Sequence, residues 1–542
     1  MPEFTLSKAY WPADVSSPVQ ESTIGSVLRE AAERTPHATA LIDGNPDGGP
    51  RRAWTYRELL DDAECAARAL LTRFRSGERV AVWSANSPEW VILEFAAALA
   101  GLALVTVNPA YQAEELAHVL GHSEADGLVL ADTYQQSDLH AILAAVRTRL
   151  PRLREVISFS DWDAFVAAGD ANVQLPEVAP ADIAHVLYTS GTTGRPKGAL
   201  LTHRGLTNSA RLAFQGMGVC PSDIVVNPMP LFHVGGGTLF TLGPLQVGAA
   251  HVLMPKFSPG LQLELIERYR GTILCGVPTM LIAVMGHSDL VKRDVSSLRI
   301  AMSGGALAPP ALVRQVEAAL GVSYVIGYAQ TETHCGTTLS VTDDLADDRA
   351  ETVGRPLPNI DLRIADPTTG TTAACGEIGE IRTRGFNVMH GYLNAPEATA
   401  AAFDTDGWLR TGDLGSMDER GYVRIAGRLK EMIIRGGENV YPREIEEVLI
   451  RHQAVVDAAV LGIPDDHYGE VVAAAICPTA LAVPSALDRD ALVGELADLC
   501  HAHLAAYKTP VRWLITDGFP LTPSGKIRKD VLRDMLMAEN KE

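Results

Sequence analysis

Helix-like and strand-like segments alternate through the first four-fifths of this chain, and that alternation limits the fold more than any other feature of the sequence. Residues 59–74 carry apolar side chains at helical spacing and lead into an apolar run at 79–83. The pairing recurs as a helical pattern at 114–120 followed by 127–130, and again at 264–270 followed by 272–275. Alternation of this kind implies α/β layers with largely parallel sheets. There is no internal repeat and no low-complexity tract.

A chain of 542 residues exceeds what one compact core accommodates, so at least two folding units are expected. The character changes at residues 376–425, where short runs such as Glu380-Ile381-Arg382-Thr383 and Tyr422-Val423-Arg424-Ile425 are punctuated by glycines. Short strands with glycine turns predict a small distorted β-barrel or a small antiparallel sheet. After Gly427 comes a compact α+β pattern. Pro442 stands where a helix starts, and 443–451 follow with Ile445, Val448 and Leu449 on one face. Two strands flank Pro464-Asp465-Asp466, and a helix is expected over 490–504. The predicted division is a layered α/β domain over 1–426 and a small α+β domain over 427–542.

The formal net charge of -20 argues against a general nucleic-acid binder, which needs a basic face. It leaves room for anionic substrates, because a few local cations can hold a phosphate inside an acidic protein. Cysteines at 65, 220, 275, 335, 375, 477 and 500 form no CxxC pair and no zinc-ligand spacing. Free thiols in a reducing compartment fit them better than a disulfide framework. The start, Met1-Pro2-Glu3-Phe4, lacks the pattern of a signal peptide. The most apolar stretch, 95–107, is shorter than the roughly 20 residues of a spanning helix and reads as a buried helix running into a strand. The expectation is a cytoplasmic protein without a transmembrane segment, with monomer and homodimer both compatible.

The strongest chemical signal is Tyr188-Thr189-Ser190-Gly191-Thr192-Thr193-Gly194-Arg195-Pro196-Lys197-Gly198, led in by the apolar run 184–187. Hydroxyls, glycines and a lysine in one tight loop suit a polyphosphate: the backbone can approach closely, N–H and O–H groups donate, and a cation is at hand. A Walker-type loop is the competing explanation. It requires G-x-x-x-x-G-K-[ST]; Gly191 and Gly194 are wrongly spaced, and Gly198 stands where its hydroxyl should be.

With this loop the sequence resembles the adenylate-forming superfamily of acyl-CoA synthetases, peptide-synthetase adenylation domains and firefly luciferases, from about Thr23 to Arg533. Further blocks match. By the resemblance, Thr189, Ser190, Gly191, Thr192, Thr193, Gly194, Arg195, Pro196 and Lys197 bind the phosphates of ATP. Pro230-Leu231-Phe232-His233 resembles the aromatic-His block, placing His233 at the border of the acyl pocket. Ser303-Gly304-Gly305-Ala306 resembles the adenine-binding edge, and Gly327-Tyr328-Ala329-Gln330-Thr331-Glu332 the G-Y-x-x-T-E block. That block implies Tyr328 stacking on adenine, Thr331 at the α-phosphate and Glu332 holding Mg²⁺, an oxygen ligand for a hard cation. Ala329 departs from the commoner glycine, and the following His334 is expected at the distal pocket wall.

Trp408-Leu409-Arg410-Thr411-Gly412-Asp413 resembles the ribose-binding block, with Asp413 accepting from the ribose hydroxyls. In the hinge-like block, Arg428 is implied to contact nucleotide and Lys430 to be the pivot. Gly436 and Gly437 are implied to let the pantetheine arm of coenzyme A pass. Pro520-Leu521-Thr522-Pro523-Ser524-Gly525-Lys526-Ile527 resembles the C-terminal catalytic-lysine loop.

The resemblance is nearest to medium-chain fatty acyl-CoA synthetases, and aryl-acid ligases share every block. It implies two half-reactions with ATP, Mg²⁺ and coenzyme A: a fatty or aryl acid becomes an acyl-adenylate, then a thioester. Positioning and cation stabilisation would supply most of the catalysis. The alternatives are an adenylating enzyme with a carrier thiol, amine or inorganic acceptor, a luciferase-like oxygenase, and a non-catalytic nucleotide binder. The run Gly235-Gly236-Gly237 is read either as an open channel for the acyl group or as close packing against a neighbour.

Overall fold

The computed structural model describes residues 5–45, 52–189, 196–436, 438–465, 467–479, 486–521 and 527–538. Two large sheets dominate. One has seven strands in the order Gly391–Tyr392, Lys197–Thr202, Ile183–Thr189, Ala103–Val107, Arg79–Trp83, Gly127–Leu130 and Glu155–Ser158. The last five of these are parallel, and the first two join them antiparallel. The other has nine strands, with six parallel ones at its centre: Ser323–Tyr328, Ile300–Gly304, Ile273–Gly276, Ile224–Asn227, Ala250–Leu253 and Thr39–Asp43.

Helices Ile24–Arg34, Tyr56–Leu71 and Pro88–Leu99 share one core with Val80, Val82 and Leu104 of the first sheet and Leu41, Trp54 and Leu253 of the second. Strands covered on both faces have no polar side, which is why they read as unbroken apolar runs. The helix starts are written locally. Thr55 and Glu58 form a reciprocal capping box, while Ser87 caps a helix whose first residue is Pro88. The apolar stretch 95–107 is the end of that helix followed by the strand Ala103–Val107.

The glycine-punctuated region contributes to a five-stranded antiparallel sheet in the order Tyr10–Trp11, Ile360–Ala365, Gly379–Gly385, Leu409–Met417 and Val423–Arg428. Its order is open: among the described residues no pairing joins the two ends, so a small sheet rather than a closed barrel forms. Among the described residues, strands from Ile433 onward pair only among themselves. Glu438–Val440, Ile433–Arg435, Gly469–Pro478 and Val455–Asp465 are antiparallel, and Arg512–Ile515 runs parallel to Gly469–Pro478. Helices Pro442–Leu449 and Ala486–His503 cover one face through Ile445, Val448, Leu492 and Leu496. Helix Lys529–Ala538 covers the other through Leu532 and Leu536. All seven cysteines are unpaired, and among the described residues no helix is long and apolar enough to cross a membrane.

Candidate active site

Strand Ile183–Thr189 leads into the hydroxyl-rich loop and Lys197–Thr202 leads out of it. Ser190, Gly191, Thr192, Thr193, Gly194 and Arg195 lie outside the described residues. The two strands are antiparallel, with Thr189 opposite Lys197 and Tyr188 opposite Gly198, so the ends of the loop are held together. Glycine at 198 leaves room for the side chains of the partner strand: an added Cβ would sit 2.9 Å from Val186 Cγ1 and 3.2 Å from Tyr188 Cζ.

Edge strand Gly391–Tyr392 pairs with Lys197–Thr202 on its far side and brings up a residue that the motifs did not single out. The Tyr392 hydroxyl donates to Glu332 Oε1 at 2.8 Å, and Thr189 Oγ1 lies 3.5 Å from the same oxygen. Lys197 Nζ stands 5.3 Å from the centre of the Tyr392 ring. Burial first, and then the charge of Glu332, push the Tyr392 hydroxyl well up, which keeps it a donor. Thr189, Lys197, Glu332 and Tyr392 therefore meet from four separate elements. Thr331 opens the short 3-10 turn Thr331–Thr333 that carries Glu332, and both are half-buried.

A second carboxylate anchors the other corner. Asp413 is 6% exposed; its Oδ2 accepts from the Tyr328 hydroxyl at 2.9 Å and from Gln330 Nε2 at 2.6 Å. Its Oδ1 lies 3.2 Å from Arg428 Nε, the residue opposite it in the strand pairing. Burial and the adjacent Asp413 raise the Tyr328 hydroxyl far above its ordinary range. Tyr328 ends the strand Ser323–Tyr328 beside Ile300–Gly304, where Gly304 pairs with Gly327. A Cβ on Gly304 would stand 3.0 Å from the Gly327 carbonyl oxygen, so the strand ends approach closely. Gly305, with φ +76°, and Ala306 are exposed beside this edge, and Ala329 is half-buried.

Two expectations for an acyl channel meet a different geometry. Gly235–Leu239 is a buried π-helical turn, which continues as helix Phe240–Val247. A Cβ on Gly236 would lie 2.2 Å from the Pro230 carbonyl oxygen, and one on Gly237 2.5 Å from that of Leu231. Close approach to these two carbonyls accounts for glycine at 236 and 237. Gly235 alone has ordinary clearance, 3.5 Å from His233 Nδ1 and 3.7 Å from Met229 Cε. His233 itself is half-buried, its Nδ1 accepting from the Gly235 amide at 3.2 Å.

His334 does not form a pocket wall. It follows Glu332 across a left-handed turn (φ 49°) that sends its ring into the core, where it is fully buried. Its Nε2 accepts from the Thr202 amide at 2.9 Å, its Nδ1 lies 2.7 Å from the Asn387 carbonyl oxygen, and Gly205 leaves room for the ring. Burial pushes its pKa down to about 4. Such a histidine is a structural strut.

Lys430 is exposed in the 3-10 turn Leu429–Glu431, two residues beyond Arg428. Gly436 turns with φ +60° and donates its amide to the Tyr468 carbonyl at 2.8 Å. Gly437 and Lys526 lie outside the described residues.

Residues 28–393 match the AMP-binding enzyme family, and 444–526 match the AMP-binding enzyme C-terminal domain. The chain belongs to the AMP-binding enzymes. A Mycobacterium tuberculosis 3-[(3aS,4S,7aS)-7a-methyl-1,5-dioxo-octahydro-1H-inden-4-yl]propanoyl:CoA ligase is 38% identical over 528 residues, covering 95% of this chain and 99% of the relative. The mitochondrial medium-chain acyl-CoA ligase ACSF2 of Rattus norvegicus is 33% identical, covering 97% and 90%. The crystal structure of ATP-bound MatB from Rhodopseudomonas palustris superimposes with a TM-score of 0.85 at 30% identity, covering 95% and 99%. This AMP-binding enzyme is an ATP-dependent, AMP-forming acid–CoA ligase.

Proposed function

We propose that the enzyme activates a medium-chain or comparably bulky apolar carboxylic acid, with ATP bound between the Glu332 and Asp413 corners. The observation that carries the site assignment is the pair of carboxylates at the strand ends. One meets the hydroxyl of Thr189 where the phosphate loop begins, and the other gathers Tyr328, Gln330 and Arg428. The first suits the polyphosphate end of a nucleotide and the second its nucleoside end. The named acids of two relatives, one of medium chain and one a propanoate on a bicyclic ring, support a large apolar substrate.

In this reading Thr189 to Lys197 cradle the phosphates, Gly304, Gly305 and Ala306 border adenine, and Tyr328 stacks on it. Asp413 takes the ribose hydroxyls, and Arg428 contacts the nucleotide. Thr331 holds the α-phosphate. The substrate carboxylate attacks the α-phosphorus in line, the bond to pyrophosphate breaks, and Lys526 bridges the reacting oxygens as charge develops there. Among the described residues no three His, Cys, Asp or Glu side chains gather as a dedicated metal cage. A single half-buried carboxylate suits a cation that arrives with phosphates and keeps most of its waters. Glu332 would hold Mg²⁺, which would neutralise charge on the phosphate oxygens. The second domain then turns about Lys430, withdrawing Lys526 and bringing Gly436 and Gly437 to the thioester step. The thiol of coenzyme A attacks the acyl carbon and AMP departs.

The test is AMP release measured with and without coenzyme A over straight-chain acids of increasing length and bulky cyclic propanoates. Highest kcat/KM on medium-length or bulky acids, with loss of activity on chelation and recovery with Mg²⁺, is the expected result. A preference for acetate would overturn the substrate class.

A further inference from the structure

One helix face touches both ends of the phosphate loop. Helix Ala113–Ser123 presents His118 and His122 one turn apart on the same side. His118 Nε2 lies 3.0 Å from the carbonyl oxygen of Pro196, at the exit of the loop. His122 Nδ1 lies 2.9 Å from the hydroxyl of Tyr188, just before its entrance. The Tyr188 hydroxyl also reaches the Val119 carbonyl at 3.3 Å, on the turn between the two histidines. The three rings pack together, with centroids 5.5 Å apart for the histidine pair and 6.3 and 5.8 Å from Tyr188. At the end of the helix Asn394 Nδ2 donates to the His122 carbonyl at 3.1 Å, tying it to the segment that carries Tyr392.

The two contacts ask different things of the rings. A carbonyl only accepts, so His118 Nε2 must carry a proton, which it does in the matching neutral tautomer and in the cation alike. The Tyr188 hydroxyl can donate to a neutral His122 Nδ1, whereas an imidazolium could only donate and would turn the tyrosine proton onto Val119. Burial, and then the nearby His118, hold His122 below its ordinary pKa, against the weaker pull of Glu124. Arg79 and Tyr111 are the other ionisable groups acting on Tyr188.

We propose that His118 and His122 are positioning residues for ATP, fixing both stems of the phosphate loop from a single helix face without touching the nucleotide. The proposal rests on reading residues 189–197 as the phosphate loop. Simple packing of helix on sheet would be served by any side chain of similar bulk; positioning depends on a ring nitrogen at each contact.

That difference is testable in the full-length enzyme by acid-dependent ATP–pyrophosphate exchange. His118→Leu and His122→Leu should each raise the KM for ATP by roughly three- to tenfold, the scale of one lost hydrogen bond. The KM for the acid, and thioester formation from supplied acyl-adenylate, should stay within twofold, roughly the noise of losing no contact at all. His118→Gln puts an amide near the place of Nε2 and His122→Asn near that of Nδ1, so both should recover most of the loss. Should the leucine variants fail to fold, His118→Asn and His122→Gln, polar but of the wrong reach, replace them and should show the same rise. On acidification below pH 6.5 the wild-type KM for ATP should rise more steeply than that of His122→Asn, since titration of the nucleotide is common to both. An unchanged KM for ATP, equal damage to acid binding and thioester formation, or no recovery in the amide variants would each overturn the proposal. Lys197→Ala separates the two levels. If it raises the KM for ATP while the histidine variants do not, the clamp alone has failed; if it too leaves that KM unchanged, the phosphate-loop reading falls and the clamp with it.

Discussion

Two regions of this enzyme use polar groups in opposite ways. In the packed block of Pro230 to Leu239, His203 and His334, glycines press on carbonyl oxygens and histidine nitrogens are matched to backbone groups. In the half-open ring around Glu332 and Asp413, side chains meet side chains: Tyr392 and Thr189 at one carboxylate, Tyr328, Gln330 and Arg428 at the other. Polar contacts confined to backbone serve to hold a shape. Contacts between side chains can be exchanged for those of a ligand, and that freedom is what a reaction centre needs.

The contrast breaks most easily at Gly236. Even a methyl group there meets the Pro230 carbonyl oxygen at 2.2 Å and that of Met229 at 2.8 Å, both backbone atoms that cannot swing aside as a side chain would. Gly236→Leu should cost more than about 3 kcal/mol, the upper range for forcing atoms into a packed core, and lower the thermal midpoint sharply. Activity should vanish equally for short and long acids; a stable variant that rejects only long ones would return this segment to the acyl channel.

On the reactive side the largest effect is expected at Lys526. Lys526→Ala should slow adenylation by about 10² to 10³, the usual scale for removing one preorganised charge contact, while thioester formation from supplied acyl-adenylate survives. Equal slowing of both half-reactions would move Lys526 out of its assigned role.

Acid should find the packed block first. Burial, and then the neighbouring His185, push the His203 pKa down to about 3, while its Nδ1 accepts from the Ile24 amide at 3.3 Å. The folded state therefore favours the neutral ring. Its contribution is complete above pH 6.5 and is lost as pH falls toward 3, at a slope of up to roughly 1.4 kcal/mol per pH unit. Urea titrations across that window should show the slope in the wild type and a shallower one in His203→Gln.

Tyr392→Phe removes one hydrogen bond to Glu332, worth about 1 kcal/mol, and should change the KM for ATP or the adenylation rate several-fold. The thermal midpoint should scarcely move. If stability falls and kinetics do not, Tyr392 belongs with the packed block.

Much of this was legible in the sequence. The parallel strands showed themselves as apolar runs because helices cover both faces, and Ser87-Pro88 and Thr55 marked helix starts through local capping. The residues around Asp413 stood in recognisable blocks. What stayed hidden was direction and company. Nothing in Gly235-Gly236-Gly237 tells which carbonyl lies behind each glycine, and it was the fold that set Pro230 and Leu231 there. His334 sits two residues from Glu332, yet one left-handed turn sends it the other way. Tyr392 is 60 positions from Glu332 and reaches it only because a two-residue edge strand pairs beside Lys197–Thr202.

The Asp413 carboxylate is held by three donors supplied by the chain itself and offers about four acceptor positions, so in the proposed site a ribose diol would find one free and gain a second by displacing Tyr328, Gln330 or Arg428. When a sugar lacks one hydroxyl, Tyr328 or Gln330 can keep its place, and no buried acceptor is stranded. The penalty for 2′-deoxy-ATP should then be smaller than the 1–3 kcal/mol or so typical of an orphaned polar group. On the proposed reading such a corner works as a turnstile: as AMP departs, Tyr328 or Gln330 returns to the carboxylate and no buried acceptor is stranded.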